Sequence, residues 1–187
     1  MAAEVSEVGP RGRILAAAAE VALERGLDSA TIAAVCKRSG LPASSVYWHF
    51  EDRDELFAEV VRTGYTAWVN ALPRRWPGST AEVCRLAVQL LDDAPGFLRI
   101  GMQLVLDRQE RNAPARACFV EIRAQIVGML STRILDTLGE ESGAAEAEDV
   151  ARLTMAFADG LLVGSMITED WDPEPYLAIF LRFFTEH

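Results

Sequence analysis

Residues Thr31–Phe50, TIAAVCKRSGLPASSVYWHF, read as two short helices joined by a tight corner. The first spans about Ile32–Arg38, with Thr31 as an N-cap whose hydroxyl accepts from an otherwise unpaired first-turn amide. Ser39-Gly40-Leu41 makes the corner, because Gly40 can adopt the left-handed conformation that ends a helix cheaply. Pro42 suits the first position of the next helix, where its missing N–H costs nothing. From Pro42 to His49 there is room for about two turns. The pair is a helix-turn-helix, a unit whose second helix fits a DNA major groove.

Working outward, an alanine-rich helix over about Arg11–Arg25 precedes the pair and ends at Gly26, with Ile14, Ala18, Val21 and Ala22 at inward spacing. Residues 1–10 read as a disordered arm with two acids and no apolar run, unlike a signal peptide. Behind Phe50, Glu51-Asp52 place negative charge at the positive end of a fourth helix that runs to about Leu72. Pro73, Pro77 and Gly78 mark a boundary. The predicted organisation is an arm (1–10), a three-helix DNA-binding domain (11–50), a connecting fourth helix (51–72) and a helical domain (79–187).

The rear part contains no credible strand, so the fold class is all-α. Its helices are predicted at about Ser79–Leu91, Phe97–Glu110, Pro114–Leu138, Ala145–Thr168 and Pro175–Glu186, with the acidic stretch GEESGAAEAED leading into the fourth of them. In Tyr176–Phe184 only Arg182 is polar, so that helix needs cover on more than one side. Gly160 and Gly164, four apart, permit close helix approach beside Phe157 and Leu161. Two such helices from each of two copies make a four-helix bundle across a two-fold axis. The monomeric alternative makes both of them plain core helices.

The formal charge of the 187-residue chain is −10. Residues 1–78 hold 9 basic and 10 acidic side chains, whereas residues 79–187 hold 9 and 18. The acidity belongs to the rear, and a balanced front can bind DNA if its cations share a face. Cys36, Cys84 and Cys118 lack metal-ligand spacing and read as reduced core thiols of a cytoplasmic protein. No stretch of eighteen uninterrupted apolar residues suggests a membrane span. Serine-triad, Cys-His, HExxH, P-loop and GxGxxG arrangements are absent and His49 and His187 are the two histidines, so no enzyme, metal or cofactor is expected.

The stretch Leu15–Leu56 resembles the DNA-binding domain of TetR-family transcriptional regulators. Gly26, Thr31-Ile32, Gly40-Leu41, Val46-Tyr47-Trp48-His49-Phe50, Arg53 and Leu56 carry the resemblance. It implies that Thr31, Tyr47 and His49 bond phosphates and that Trp48 lies against the DNA backbone. It also implies that Arg53 grips a phosphate and that Ala43, Ser44 and Ser45 face base edges. Phe50 is read as core. These three small residues lack the bidentate reach of Arg, Asn or Gln, and Ala33 removes another reader, so specificity rests on small contacts, water and DNA shape. Pro42 replaces the usual capping serine, and Glu51 and Asp52 oppose the phosphates; Arg11, Arg13, Lys37 and Arg38 are the cations available to compensate.

The resemblance further implies a homodimer on a near-palindromic operator, released by a small effector, with an apolar or aromatic molecule as the default. Candidate pocket residues are Trp68, Phe97, Met102 and Phe119, with Met129 and Phe157. Gln103, Arg123 and Gln125 are the polar residues placed to orient a ligand. Candidate dimer residues are Phe157, Gly160, Leu161 and Gly164, then Tyr176, Phe180, Phe183 and Phe184. The competing reading is a helical interaction module with weak or lost DNA binding.

Overall fold

The computed structural model describes residues 9–92, 95–107, 112–137 and 143–184. The expected arm up to residue 8, the helix ends at Glu110, Leu138 and Glu186, and acidic residues 139–142 lie outside these, as do the side chains of Leu91 and Asp92. Nine α-helices and one 3₁₀ turn, with no strand, make up the described structure. They are α1 (Pro10–Arg25), a 3₁₀ turn (Leu27–Ser29), α2 (Ile32–Ser39), α3 (Ala43–His49), α4 (Arg53–Ala71) and α5 (Thr80–Asp92). The remainder are α6 (Gly96–Leu106), α7 (Ala113–Leu135), α8 (Ala144–Ile167) and α9 (Glu174–Arg182).

Local chemistry accounts for most of the boundaries. Thr31 Oγ1 accepts from Ala34 N at 3.2 Å, and Gly40 closes α2 at φ +69°. Pro42 is the N-cap of α3 rather than its first helical residue; its extended backbone starts the helix one position later than predicted. At α4, Asp52 Oδ1 accepts from Glu55 N at 2.8 Å while the Glu55 carboxylate reaches back to Glu51 N. At α5 Ser79 Oγ accepts from Glu82 N and its hydroxyl donates to the Glu82 carboxylate. Such caps satisfy the amides that a helix start leaves unpaired.

The chain divides into two units that do not follow chain order: Met1–Asn70 with Gly96–Ile122, and Ala71–Pro95 with Arg123–His187. This differs from the sequential division expected, because α6 and the first half of α7 return to the front of the molecule. In the first unit α1 packs on α2, α3 and α6. Ile14, Ala18, Val21 and Ala22 of α1 are buried with Val35, Val46 and Phe50, and from α4 come Leu56, Phe57 and Val61. Gly101 lets α6 meet α7 closely, since a Cβ there would lie 2.1 Å from the Phe119 ring.

In the second unit α5 packs on α8 and α9. Its core includes Val83, Val88, Ile126, Leu130, Met155, Leu162 and Leu177. Phe157 and Phe180 stack with ring centroids 4.3 Å apart. Trp171 packs where a Cβ on Gly164 would lie, 2.6 Å from its ring, and stacks on Tyr176. By length and hydropathy α8 could cross a membrane, but seven of its residues are buried in this unit.

Candidate nucleic-acid interface

The interface is built from the outer side of α2 and α3. Val46 and Phe50 turn inward and anchor α3, and the Arg11 guanidinium lies 5.5 Å from the Phe50 ring centre. Phe50 is therefore core, as read from the sequence. Anchoring those two positions turns the intervening ones outward, since neighbours along a helix do not share a face. Trp48 is 84% exposed and Tyr47 57%. Thr31, Ala43 and Ser44 are exposed as well, Ser45 is half-buried, and His49 is half-buried against the Phe50 ring. Leaving a tryptophan in water forgoes one of the larger burial gains a side chain offers, so its exposure beside a tyrosine marks a contact surface.

The expected cations are arranged differently. Arg11 pairs with Glu59, Arg13 donates to Ser39 O at 2.7 Å, and Arg38 bonds both Glu20 and Glu24. The Glu24 bond, then that of Glu20, hold the Arg38 guanidinium firmly charged, and Arg38 in turn keeps the Glu24 carboxyl below its ordinary range. These arginines brace α1, α2 and the corner. Lys37 is exposed, and no ion pair among the described residues involves it.

Arg53 corrects the sequence reading. Its guanidinium does not project toward a phosphate but is turned inward, where Nε donates to Ala30 O at 2.9 Å and Nη1 to Asn112 Oδ1 at 2.8 Å. Nη2 donates to Leu27 O, and the group lies 4.8 Å from the Phe57 ring centre. Three acceptors and an aromatic face together outcompete solvent for a planar, five-donor cation. Next to it, Asp54 is 7% exposed and accepts from Ala115 N at 3.2 Å. Burial pushes its carboxyl above the ordinary range, against the bond from Ala115.

The candidate pocket residues divide between the units. In the first, Tyr65, Trp68 and Phe97 form an aromatic cluster with centroids 5.8–6.3 Å apart. Met102 is half-buried, and Phe119 is buried against Gly101. Gln103 is corrected: its Oε1 accepts from Leu27 N at 2.9 Å, a bond to the helix-turn-helix region. In the second unit Met129 is half-buried and Phe157 is stacked on Phe180. Arg123 Nη2 meets Asp159 Oδ2 at 2.5 Å. Burial raises the Asp159 carboxyl against the pull of Arg123. Gln125 is exposed on α7. Among the described residues no group of three or more His, Cys, Asp or Glu is placed to hold a metal.

The candidate dimer residues divide too. Leu161 and Phe180 are buried within the second unit, and the space at Gly164 is taken by Trp171, so these three serve internal packing. Gly160 is open, Phe183 is 69% exposed, Tyr176 is half-exposed and Phe184 is half-buried. The outward stripe on α8 is Leu153, Ala156, Gly160, Val163 and Ile167, and that on α9 is Tyr176, Ile179 and Phe183. The sequence reading passed over Leu153, Val163, Ile167 and Ile179, although their three- and four-residue spacing was there to be read.

Comparison with known proteins matches the stretch that holds these helices. The model of the family described as bacterial regulatory proteins, tetR family, matches residues 14–60. A transcriptional repressor of Mycobacterium tuberculosis, KstR2, is 35% identical over 72 residues, a match that spans 38% of this chain and 36% of that relative. A transcriptional regulator from Rhodococcus sp. Rha1 shares the fold with a TM-score of 0.72 at 26% identity, covering 94% of this chain and 96% of its own. The multidrug binding protein EbrR, solved with ethidium, aligns with a TM-score of 0.67 at 21% identity over 94% of this chain and 99% of its own. A front that matches the tetR family of bacterial regulatory proteins over residues 14–60, with an exposed aromatic edge on the second helix of its motif, is thus joined in this chain to a fold shared with a transcriptional regulator over nearly the whole length.

Proposed function

We propose that the chain is a cytoplasmic, homodimeric repressor that binds a near-palindromic DNA operator and is released by a small apolar or aromatic molecule. The observation that carries the DNA-binding half is the exposed Tyr47–Trp48 pair on α3, flanked by the exposed N-cap Thr31. In this reading Thr31, Tyr47 and His49 bond phosphates, Trp48 lies on the sugar-phosphate backbone, and Ala43, Ser44 and Ser45 meet base edges. Three small side chains give few directional base contacts, so DNA shape and thymine methyls carry much of the sequence choice.

Dimerisation is supported by the apolar stripes on α8 and α9, which repeat at the spacing of a helix-bundle seam and are left exposed among the described residues. Tyr65, Trp68 and Phe97 supply flat apolar faces for an aromatic effector. The ethidium complex of the structurally similar EbrR supports that ligand class. The effector acts by preferring the geometry in which the two α3 helices no longer match successive grooves, a coupling that must be reciprocal with DNA.

Selection of bound sequences from a random DNA pool tests the reading. The expected result is an enriched palindrome to which Tyr47→Ala binds at least several-fold more weakly. An unenriched pool, together with band shifts indifferent to Tyr47→Ala, overturns it. The interaction-module alternative draws on the internal engagement of Arg11, Arg13, Arg38 and Arg53. It requires that no salt-sensitive DNA binding occur at all.

A further inference from the structure

We infer that Asn112, immediately before α7, is a positioning residue of the DNA-binding front, acting through Arg53 on the turn that sets Thr31. The inference rests on the DNA-binding reading above. Asn112 is fully buried, and both ends of its amide are engaged: Oδ1 accepts from Arg53 Nη1 at 2.8 Å and Nδ2 donates to Asp107 Oδ2 at 2.6 Å. A buried amide is tolerated only with such partners.

Arg53 passes the constraint on. Its other donors hold the carbonyls of Leu27 and Ala30, and Ala30 immediately precedes Thr31, the cap of α2. On the opposite side the amide of Leu27 donates to Gln103 of α6. The short segment that aims α2 therefore has the Leu27 and Ala30 carbonyls held from α4 and the Leu27 amide held from α6, while Asn112 fixes the guanidinium. Asp54 adds a parallel tie, since its carboxylate receives the Ala115 amide in the first turn of α7. The arrangement places Gln103, Asn112 and Ala115, far along the chain from the motif, inside the machinery that orients it.

A positioning role and a direct phosphate contact make opposite forecasts. A phosphate contact contributes to the salt dependence of binding, about one unit of slope in log K against log salt. A brace contributes affinity without slope. A lysine at position 53 keeps the charge and can serve a phosphate, but it lacks the fork that reaches three acceptors at once.

The test uses the full chain on its selected DNA site, with thermal melts to confirm folding, and compares wild type, Asn112→Ala, Arg53→Lys and the double variant Asn112→Asp with Asp107→Asn. The double variant preserves both bonds, with the aspartate accepting from Arg53 and from the new asparagine. Asn112→Ala and Arg53→Lys are expected to weaken DNA binding by roughly ten-fold, the scale of one hydrogen bond to a charged group, with the salt slope unchanged. The double variant is expected to recover most of the loss. Wild-type affinity in Arg53→Lys, the result a phosphate contact kept by lysine would give, overturns the inference, and so does wild-type affinity in Asn112→Ala. A wild-type chain that selects no DNA site removes the DNA-binding reading itself, a separate and recognisable failure.

Discussion

The two units of this chain are held by different physics. In the first, segments distant in sequence are tied by charged and buried hydrogen bonds: Arg53 to Ala30, Leu27 and Asn112, Asp54 to Ala115, Gln103 to Leu27. In the second, stacked rings and aliphatic packing, as in Phe157 on Phe180 and Trp171 on Tyr176, stand beside the part-buried Arg123–Asp159 pair, and apolar stripes are left over on the outside. Polar bonds are directional and costly when unmade, so they specify one geometry. Apolar burial is non-directional, so it favours association and leaves room for repacking around a ligand. In the proposed reading, a front that holds a groove-reading geometry and a rear that pairs with a copy each use the suitable force.

The comparison is broken most severely at the outward stripes. Val163→Glu with Phe183→Glu places charges where the proposed seam closes, and sedimentation is expected to show monomers. Operator affinity is then expected to fall by about 100-fold or more, because two linked half-sites gain roughly that from effective concentration. A dimer that survives both charges would locate its interface elsewhere.

Close helix approach gives the next effect. Gly101→Ala drives a Cβ to 2.1 Å from the buried Phe119 ring, and overpacking of this kind costs about 1–3 kcal/mol, read as a lowered melting temperature. Gly164→Ala is expected to do the same through Trp171. Gly160→Ala meets nothing within 4 Å among the described residues, so it is expected to leave the protomer intact or stabilise it by up to about 1 kcal/mol, the helix-propensity gain. Equal melting losses at all three glycines would refute the distinction.

Electrostatics sharpen the contrast at smaller scale. With Arg11, Arg13, Arg38 and Arg53 engaged internally, the salt slope of operator binding is expected to be shallow for a DNA-binding dimer. Lys37→Ala is expected to reduce it by about one per protomer if the lysine neutralises a phosphate, while Arg38→Ala leaves it unchanged. Titration of the operator complex against salt decides.

The smallest effect concerns pH. Burial raises the Asp54 carboxyl above its unfolded value, so the folded protein holds that proton more tightly. The resulting contribution to stability is fully present below the ordinary carboxylate range and is lost as pH rises through the raised value. Asp54→Asn, which keeps an acceptor for Ala115, removes that dependence. Its melting temperature relative to wild type is expected to rise with pH, and a difference that stays flat from acid to neutral pH would contradict the account.

Legibility in the sequence followed the range of the forces. Thr31 as cap, Gly40 in the left-handed corner and Phe50 as core were readable because each depends on neighbours within a turn or two. The aromatic edge at Tyr47 and Trp48 was readable from its place in a patterned stretch. Arg53 misled because a basic residue at a helix start looks the same whether it faces a phosphate or a buried amide fifty-nine positions on. Leu161 and Gly164 misled in the same manner, since an apolar or small residue carries no mark of which neighbour it meets.

The amino-acid sequence by itself determined that this protein is all-helical, that a helix-turn-helix stands near its front, and that its last helix is apolar on more than one side. Caps, corners and helical periodicity are local, and local energies are written in adjacent residues. Only the tertiary structure decided that residues 96–122 join the front, that the expected phosphate-gripping arginine became a brace, and which residues of α8 face outward. Those outcomes depend on which distant acceptors and surfaces compete for the same side chain, and that competition exists only once the chain has folded.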